Sequence, residues 1–336
     1  MVERRGSRTT LIDVAQAAGV SKALVSIVMR GVPGASDETR ERVLRIADEM
    51  GYVPDQRARK LRQSSSRLLG VTFELREPFH GDLVEEIYRE AAEAGYDVVI
   101  SAVAPSRSES SAVETVVRER CEAAILLGPR LDGIELSTLV ERLPVVVVAQ
   151  GVDDPRTGYV RSDDTAGIGL AVDHLVELGH SAVVHIDGGD APGADERRAG
   201  FRAAMRRHRQ DRGLRIVSGG LGQIDGARAM GTILDAGDLP TAVIAFNDDC
   251  ATGVIDTIIR AGMSVPEDIS VVGYDDARLA AGLRVPLTTV SQDARQMACD
   301  AVSGALAMIG GSDPPAIVRR PQLVVRGTTA PVHFVE

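Results

Sequence analysis

The chain of 336 residues has no tryptophan, only three cysteines, and aromatic residues make up just 3% of it. The cysteines, Cys121, Cys250 and Cys299, are far apart and form no CxxC pair, so the sequence predicts neither a disulfide framework nor a zinc site. No apolar run reaches about 18 residues, and the N-terminus shows no hydrophobic segment of a signal peptide. We therefore expect a cytoplasmic protein without a membrane span.

Lysine is also scarce, and both lysines, Lys22 and Lys60, lie in residues 1–67. That segment holds 13 basic and 8 acidic residues, whereas the rest holds 25 basic and 40 acidic ones, and the whole chain has a net charge of −10. A basic end on an acidic body suits a protein that approaches phosphate groups with one end only. Hydrophobic residues make up 44% of the chain, enough to bury the cores of more than one domain.

Two short helices joined by a tight turn are predicted near the start of the chain. In the first, apolar residues fall at i, i+3, i+4 and i+7 from Leu11, and Thr10 can cap its start. Gly19 ends this helix, Val20 is expected to be buried in the turn, and Ser21 caps the second helix. The inner face of the second helix is predicted to contain Leu24, Val25, Val28 and Met29. Such a pair forms either an ordinary helical hairpin or a helix-turn-helix unit, whose second helix enters the major groove of DNA.

A third helix is predicted after Ser36, with acidic residues in its first turn, Val43 and Ala47 on its apolar face and Gly51 at its end. Three such helices make a minimal core. The motif AxxAGVSxxxVS, followed by SxxTRxRVxxxAxxxGYxP, resembles the DNA-binding headpiece of the lac repressor (LacI/GalR) family of bacterial transcription regulators. The resemblance implies a helix-turn-helix headpiece over residues 1–51.

The same resemblance assigns DNA contacts to the second helix. The base-reading positions are Lys22, Ala23 and Ile27, and the positions at or near the DNA backbone are Ser21, Leu24 and Ser26. Arg30 also belongs to the outer face of this helix and is expected to contact DNA. Leu24 stands where the family usually has threonine, and Ile27 where arginine is frequent. Because isoleucine can pack against a thymine methyl but cannot hydrogen-bond guanine, we expect T opposite Ile27.

Residues 52–67 are predicted to form a short polar helix and then a serine-rich linker. By composition alone, the segment is a solvated interdomain linker. The resemblance implies instead a hinge helix that folds on DNA, with Leu61 wedged into a minor-groove base step and the small Ala58 allowing close approach. Asp55 departs from the asparagine that is usual in the family.

From residue 68 onward, short apolar runs alternate with helical patterns, which predicts a parallel α/β architecture. Continuous hydrophobic runs are typical of strands covered on both faces. The predicted strands are 68–73, 96–102, 123–128, 144–149, 182–186, 215–219, 241–246 and 269–274. Since these exceed one comfortable sheet, we interpret residues 152–160 as a crossing between two lobes.

Polar residues follow many of the predicted strands. In open α/β sheets, ligands bind beyond the carboxyl ends of the strands, although each such residue could equally cap a helix or form a turn. Taken together they predict a polar cleft that contains Glu74, Gln150, Asp187, Asn247, Asp248, Asp275 and Asp276.

The second part of the chain resembles the effector-binding core of the same family, in the segments RxxGFxxAM, AFNDxxAxG, VPEDISVVGYDD, TTVSQD and LVVRGT. The resemblance implies a bilobed core over residues 68–336, similar to periplasmic sugar-binding proteins, with two doubly wound parallel lobes. The expected lobes are about 68–160 plus 293–322, and about 161–292 plus 323–336.

Three residues match family positions that hydrogen-bond the effector, namely Arg197, Asn247 and Asp275, and Phe79 matches an aromatic of the first lobe. A guanidinium, an amide and a carboxylate together provide donors and acceptors for adjacent hydroxyls or a heterocycle edge. Without tryptophan, stacking on a sugar would depend on the aromatic rings of Phe79, Phe246 or Tyr274. His80 fits a cap as well as a ligand contact, and Gln292 is placed in the interlobe region.

We therefore expect a ligand-responsive repressor that binds a pseudo-palindromic operator in double-stranded DNA as a homodimer. Its effector would be a sugar, sugar phosphate, polyol or purine, and no cofactor or metal is expected. The absence of a leucine-heptad tail favours a dimer over a tetramer.

Two other classes of function share features with this sequence. A transport-type binding protein would share the core, but the headpiece and the missing signal peptide argue against it. A metal-dependent enzyme could use Asp187, Asp248, Asp275 and His185. However, the sequence has no phosphate loop or nucleophile elbow, so we expect no enzymatic activity.

Overall fold

A computed structural model describes residues 9–29, 31–52, 65–210 and 214–332. The chain divides between Ser66 and Arg67 into two compact units, which we call the headpiece and the core. In its described part, the headpiece contains α1 (Leu11–Ala18), α2 (Lys22–Met29) and α3 (Asp37–Glu49).

The ends of the headpiece helices are fixed by capping. The Thr10 hydroxyl accepts a hydrogen bond from the Asp13 backbone N–H at 3.3 Å, while the Asp13 carboxylate accepts one from the Thr10 N–H at 2.7 Å. Gly19 ends α1 at a φ of +64°, a backbone conformation that glycine adopts without the penalty of a Cβ atom. Ser21 then starts α2, since its hydroxyl accepts from the Leu24 N–H at 3.2 Å. The predicted helix, turn and helix are confirmed.

The three helices close around a small core of valines and alanines. Val14, Val25 and Val43, one from each helix, are each fully buried. The Arg40 guanidinium joins α3 to the end of α2, because it donates to the Val28 carbonyl at 3.4 Å. Val20 was predicted to be buried, but it is only half-buried at the edge of this core.

No single described helix is long and apolar enough to cross a membrane. By length and composition, α1 and α2 would pass only as a pair, and that pair is bent by 105°.

The core alternates strands and helices. Its strands are β1 (Leu68–Glu74), β2 (Asp97–Val103), β3 (Ala123–Leu127), β4 (Val145–Val148), β5 (Gly158–Ser162), β6 (Val183–Ile186), β7 (Arg215–Val217), β8 (Ala242–Ile244), β9 (Ser270–Asp275), β10 (Thr288–Ser291), β11 (Ala316–Arg319) and β12 (Gln322–Val324). Its helices are α4 (Pro78–Glu93), α5 (Glu109–Arg118), α6 (Gly133–Val140), α7 (Asp164–Glu177), α8 (Ala194–Arg207), α9 (Gln223–Asp235), α10 (Asp248–Arg260), α11 (Arg278–Gly282) and α12 (Ala294–Ile309).

The strands form two six-stranded sheets, in the orders β11-β5-β4-β3-β1-β2 and β12-β10-β9-β8-β6-β7. Every pairing in the first sheet is parallel, whereas in the second sheet the edge strand β12 pairs antiparallel with β10. The first sheet with α4, α5, α6 and α12 is called the N-lobe, and the second sheet with α7 to α11 the C-lobe. The predicted pair of doubly wound lobes is confirmed, apart from the antiparallel edge.

Helices cover both faces of each sheet, which explains the continuous apolar runs. In β4, Val146 and Val148 pack with α4 and α12, whereas Val145 and Val147 point to the opposite face, towards α5 and α6. All four valines are fully buried. Burial of each valine contributes about 1.5–3 kcal/mol to the stability of the fold, so this apolar run favours a central strand.

Each of the strands predicted as an apolar run forms, but β5, β10, β11 and β12 were not predicted. β5 lies partly in the segment interpreted as a lobe crossing, and it ends at Ser162, beyond the expected lobe boundary. β11 and β12 are short and partly exposed edge strands, so they lack the continuous hydrophobicity that marks a central strand. Because β11 and β12 belong to different sheets, the chain also crosses between the lobes there.

Candidate functional site

The outer face of α2 carries the side chains predicted to contact DNA. Ser21, Lys22 and Ala23 are exposed, whereas Leu24, Ser26 and Ile27 are half-buried. The hydroxyl of Ser21 caps α2, so it has a structural role whether or not it contacts DNA. Arg30, Ala58 and Leu61, which were also predicted to contact DNA, lie outside the described residues.

A cleft open to solvent lies between the two lobes at the carboxyl ends of their strands. Of the residues predicted from the sequence, Glu74 and Phe79 line it from the N-lobe, and Arg197, Asn247 and Asp275 from the C-lobe.

Gln150 was predicted in the cleft but is not among the described residues that line it. Its amide instead donates to the Pro129 carbonyl oxygen at 3.0 Å. Ala149 lines the cleft in its place, in the left-handed region at a φ of +72°. This backbone turn redirects the chain after β4, and an apolar run does not reveal it.

Arg197 is held from several sides although it lines the cleft. Its Nε donates to the Asp164 carboxylate at 2.8 Å, and its Nη1 donates to the Phe246 carbonyl oxygen at 2.6 Å. The guanidinium carbon lies 3.6 Å from the centre of the Tyr274 ring and 4.5 Å from that of Phe246. Only 5% of the residue is exposed. The guanidinium group is therefore preorganised, and binding a ligand would cost this side chain little conformational entropy.

The aromatic rings have different roles. Tyr274 is fully buried beneath Arg197, so it cannot stack on a ligand. Phe79 and Phe246 line the cleft. Phe246 lies so close to Gly188 that a Cβ atom there would come within 2.5 Å of the ring, which is why the loop after β6 needs glycine.

Asn247 caps a helix and also lines the cleft, the two positions that the sequence left as alternatives. Its Oδ1 accepts from the Cys250 N–H at 2.8 Å and so caps α10. Its Nδ2 faces the cleft and donates to the Glu77 carboxylate across the lobe boundary at 3.4 Å. The cap fixes the amide orientation, so the nitrogen is presented to the cleft.

Asp275 lies in the left-handed region at a φ of +106°, a strained conformation for a residue other than glycine. Its Oδ1 accepts from the Gln292 amide at 2.6 Å and lies 3.8 Å from Nη2 of Arg197. Burial raises the pKa of Asp275 to about 7, although Arg197 counteracts the shift. Gln292 lines the cleft, as expected.

Sequence reasoning missed Glu77, Glu109 and Arg130, which line the cleft, and Asp164, which lies behind it and holds Arg197. Asp164 follows β5, so recognising that strand would have drawn attention to it. Burial raises the pKa of Glu77 to about 8, and the negative charges of Asp275 and Asp249 add to the shift. Glu77 precedes Pro78 at the start of α4, and its carboxylate makes no capping bond there.

His80 also lines the cleft, and a hydrogen bond from a neighbouring backbone group holds its ring. Its Nδ1 accepts from the Glu74 backbone N–H at 3.1 Å. Burial lowers the pKa of His80 to about 4, so the ring is neutral near pH 7.

The other acidic residues predicted at strand ends do not line the cleft, and they form hydrogen bonds or ion pairs within the C-lobe. Asp187 pairs with Arg198 at 2.9 Å, and Asp276 pairs with Arg326 at 2.5 Å. Asp248 accepts from the Ala277 N–H at 2.8 Å. His185, the last member of the possible metal set, is fully buried, and its Nδ1 bonds to the Ile244 carbonyl at 3.0 Å. Across the described ranges, no group of three or more histidine, cysteine, aspartate or glutamate residues could hold a metal ion.

A second contact joins the lobes near α4. The backbone N–H of Arg278 donates to the Asp82 carboxylate at 3.0 Å, and its Nη1 lies 2.6 Å from a Glu85 oxygen. Because the Arg278 side chain is 65% exposed, these ion pairs contribute little to stability.

Two known families match this chain, and their order follows the two units. Residues 10–55 match the family described as bacterial regulatory proteins, lacI family, and residues 172–329 match a periplasmic binding protein-like domain. The HTH-type transcriptional regulator MalR of Streptomyces coelicolor is 34% identical over 96% of this chain and 97% of its own length.

Solved structures extend this similarity. A LacI transcriptional regulator from a Rhodococcus species is 58% identical, with a TM-score of 0.76 over 79% of this chain and 99% of its own. The lac repressor dimer bound to operator and the anti-inducer ONPF is 30% identical, with a TM-score of 0.81 over 96% of this chain and all (100%) of its own.

Proposed function

Because this chain belongs to the lacI family of bacterial regulatory proteins, we propose that it represses transcription in the cytoplasm under the control of a small polar effector. It binds a pseudo-palindromic operator in double-stranded DNA as a homodimer. The observation that carries the proposal is a helix-turn-helix headpiece on the same chain as a two-lobed core with a polar cleft.

On the DNA side, α2 enters the major groove. Lys22, Ala23 and Ile27 read bases, and Ser21, Leu24 and Ser26 stay near the DNA backbone. Arg30 adds a DNA contact, while Leu61 and Ala58 supply the minor-groove contact of the hinge. A single headpiece reads few base pairs, so a dimer with two-fold symmetry suits a two-fold operator. The operator-bound dimer of the lac repressor supports this arrangement.

On the effector side, the ligand binds between the lobes and contacts Arg197, Asn247 and Asp275, with Phe79 and Glu74 on the opposite wall. Since both lobes line the cleft, a ligand can favour one lobe arrangement over another. Such differential affinity is what couples effector binding to operator binding.

Selection of binding sites from random DNA by the purified full-length protein tests the DNA half of the proposal. We expect a pseudo-palindromic sequence with T at the position opposite Ile27, and an affinity that falls steeply with salt because phosphate contacts release counterions. An invariant G opposite Ile27 would contradict the assigned base contact, and recovery of no enriched sequence would contradict operator recognition.

A further inference from the structure

The N-lobe wall of the cleft is rich in carboxylates that lack cationic partners. Glu74, Glu77 and Glu109 all line it. Within the described residues, none of them has an ion pair within 4.0 Å. Glu77 accepts only the long bond from Asn247, and Glu109 accepts from the Arg130 backbone N–H at 2.8 Å.

The two guanidinium groups in the lining do not balance this charge. Arg197 is already paired with Asp164 at 2.8 Å, behind the cleft surface. The Arg130 side chain is 54% exposed and lies 3.7 Å from Asp190. Together with Asp275, the lining therefore carries more carboxylates than available cations.

The electrostatic effects are consistent with this excess. Burial is the largest cause of the raised pKa values of Glu77 and Glu109. Arg197 counteracts the shift of Glu77 and Arg130 that of Glu109, but both pKa values stay raised, and the charge of Glu74 adds to both shifts. Carboxylates that share a partly buried space repel one another, and a ligand of opposite charge relieves that repulsion.

The C-lobe wall is different, because it offers both donors and acceptors. Arg197 and Asn247 present N–H groups, whereas Asp275 presents carboxylate oxygens. Such a mixed set suits hydroxyl groups, which donate and accept. When ionised, the N-lobe carboxylates can accept hydrogen bonds but cannot donate them. This suits an ammonium group, which only donates.

We propose that the effector is a hydroxylated amine, such as an amino sugar or an aminopolyol, and that the cleft excludes phosphorylated and carboxylated molecules. The ammonium group lies against Glu74, Glu77 and Glu109, and the hydroxyls lie against Arg197, Asn247 and Asp275. This inference rests on the proposed function, since it specifies the ligand class of the same cleft.

Matched probes test the ligand class in thermal-shift and calorimetric titrations of the full-length protein. Each set contains the amino sugar, its N-acetyl form, the parent sugar and the sugar 6-phosphate, in the gluco, galacto and manno series. We expect at least one free amine to raise the melting temperature, with an affinity at least tenfold above its neutral counterparts. The 6-phosphates should not bind.

Two variants test where the amine lies. Glu77→Gln and Glu109→Gln keep the side-chain shape and each remove a carboxyl group that can pair with the ammonium group, so the affinity for the amine should fall about tenfold while that for the parent sugar changes little. Glu93→Gln, an exposed position on α4, is the matched control and should alter neither affinity. Having two cleft variants keeps the test decisive if one fails to fold.

The outcomes separate this inference from the proposed function. Preference for the amine, with its selective loss in the cleft variants, supports the hydroxylated amine. Equal or tighter binding of a neutral sugar or a phosphate overturns it, while leaving an effector cleft in place. If no probe binds, the inference is also overturned, and binding of the selected operator decides independently whether the protein is a DNA-binding regulator.

Discussion

The headpiece and the core present the side chains that we propose to bind DNA and effector in opposite ways. In the headpiece, Lys22 and Ala23 lie exposed on α2, and a small set of buried valines and alanines holds that helix in place. In the core, Arg197 and Asn247 are nearly buried and already make internal hydrogen bonds.

The difference reflects the size and shape of what each unit would bind. A DNA groove accepts a protruding helix, so the reading side chains can stay in water until DNA arrives. A small molecule is enclosed, so the polar groups around it must be oriented beforehand and satisfied without it. Substitution of an exposed DNA-reading side chain in the headpiece should therefore change binding without changing stability. Substitution of a buried polar side chain around the cleft should change both.

Arg197→Ala should have the largest effect on stability. It leaves Asp164 buried without its cation, so the free energy of unfolding of the core should fall by about 3–5 kcal/mol. Urea unfolding of the purified protein measures the change. Arg202→Ala, an exposed position on the same helix, should change it by less than about 0.5 kcal/mol. A similarly small loss of unfolding free energy for Arg197→Ala would contradict the conclusion that Asp164 and its neighbours hold the Arg197 guanidinium in place.

Val25→Ala should destabilise the headpiece by about 2 kcal/mol, since it removes two methyl groups from a fully buried site and leaves a cavity. Operator binding should weaken while ligand binding in the core is retained, as measured by fluorescence anisotropy and calorimetry. Leu44→Ala, whose leucine is 45% exposed, is the matched control. Normal operator affinity in Val25→Ala would show that the small core does not limit the placement of α2.

Lys22→Ala should leave the stability of both units unchanged because the side chain is exposed. Operator affinity should fall about tenfold, equivalent to roughly 1.4 kcal/mol, and discrimination between base sequences should relax. Competition binding with selected and random DNA measures both effects. An equal loss on both DNAs would indicate a phosphate contact instead of base reading.

Glu77→Gln should give a smaller effect, which depends on pH. The pKa of Glu77 is about 8 in the folded core, above its ordinary value of 4.5. The folded core therefore loses stability as the pH rises from 4.5 to about 8, because Glu77 holds its proton more tightly in the folded state than in the unfolded state. The variant should therefore melt a few degrees higher than the natural chain at pH 9 and close to it at pH 5. The buried, neutral His80 affects both proteins alike. A variant that melts lower at pH 9 would contradict the repulsion among the cleft carboxylates.

Much of the fold could be predicted because burial on both faces produces continuous apolar runs. The central strands β3 and β4 illustrate this, since every residue in them is buried. Strand β5 could not be recognised in the same way, because its buried residues alternate with partly exposed ones. Missing β5 concealed Asp164, the residue that anchors Arg197.

The cleft was predicted well where side chains extend directly from strand ends and less well where the backbone turns. Asn247 and Asp275 reach the cleft, as the strand-end rule predicts. Gln150 does not, because the left-handed conformation of Ala149 comes between it and β4. Glu77 belongs to a loop, and only the folded structure brings it to Asn247 in the other lobe.

The central claim is that the cleft controls the headpiece, and one comparison tests it most directly. The affinity of the full-length protein for its selected operator is measured by fluorescence anisotropy with and without a saturating compound from the sugar, sugar phosphate, polyol, purine and amino sugar panel. The compound is first shown to bind the cleft through loss of its thermal shift in Asn247→Ala. We predict a change in operator affinity of at least fivefold, matched by an equal change in compound affinity when operator is bound. An unchanged operator affinity with the cleft occupied would contradict the account.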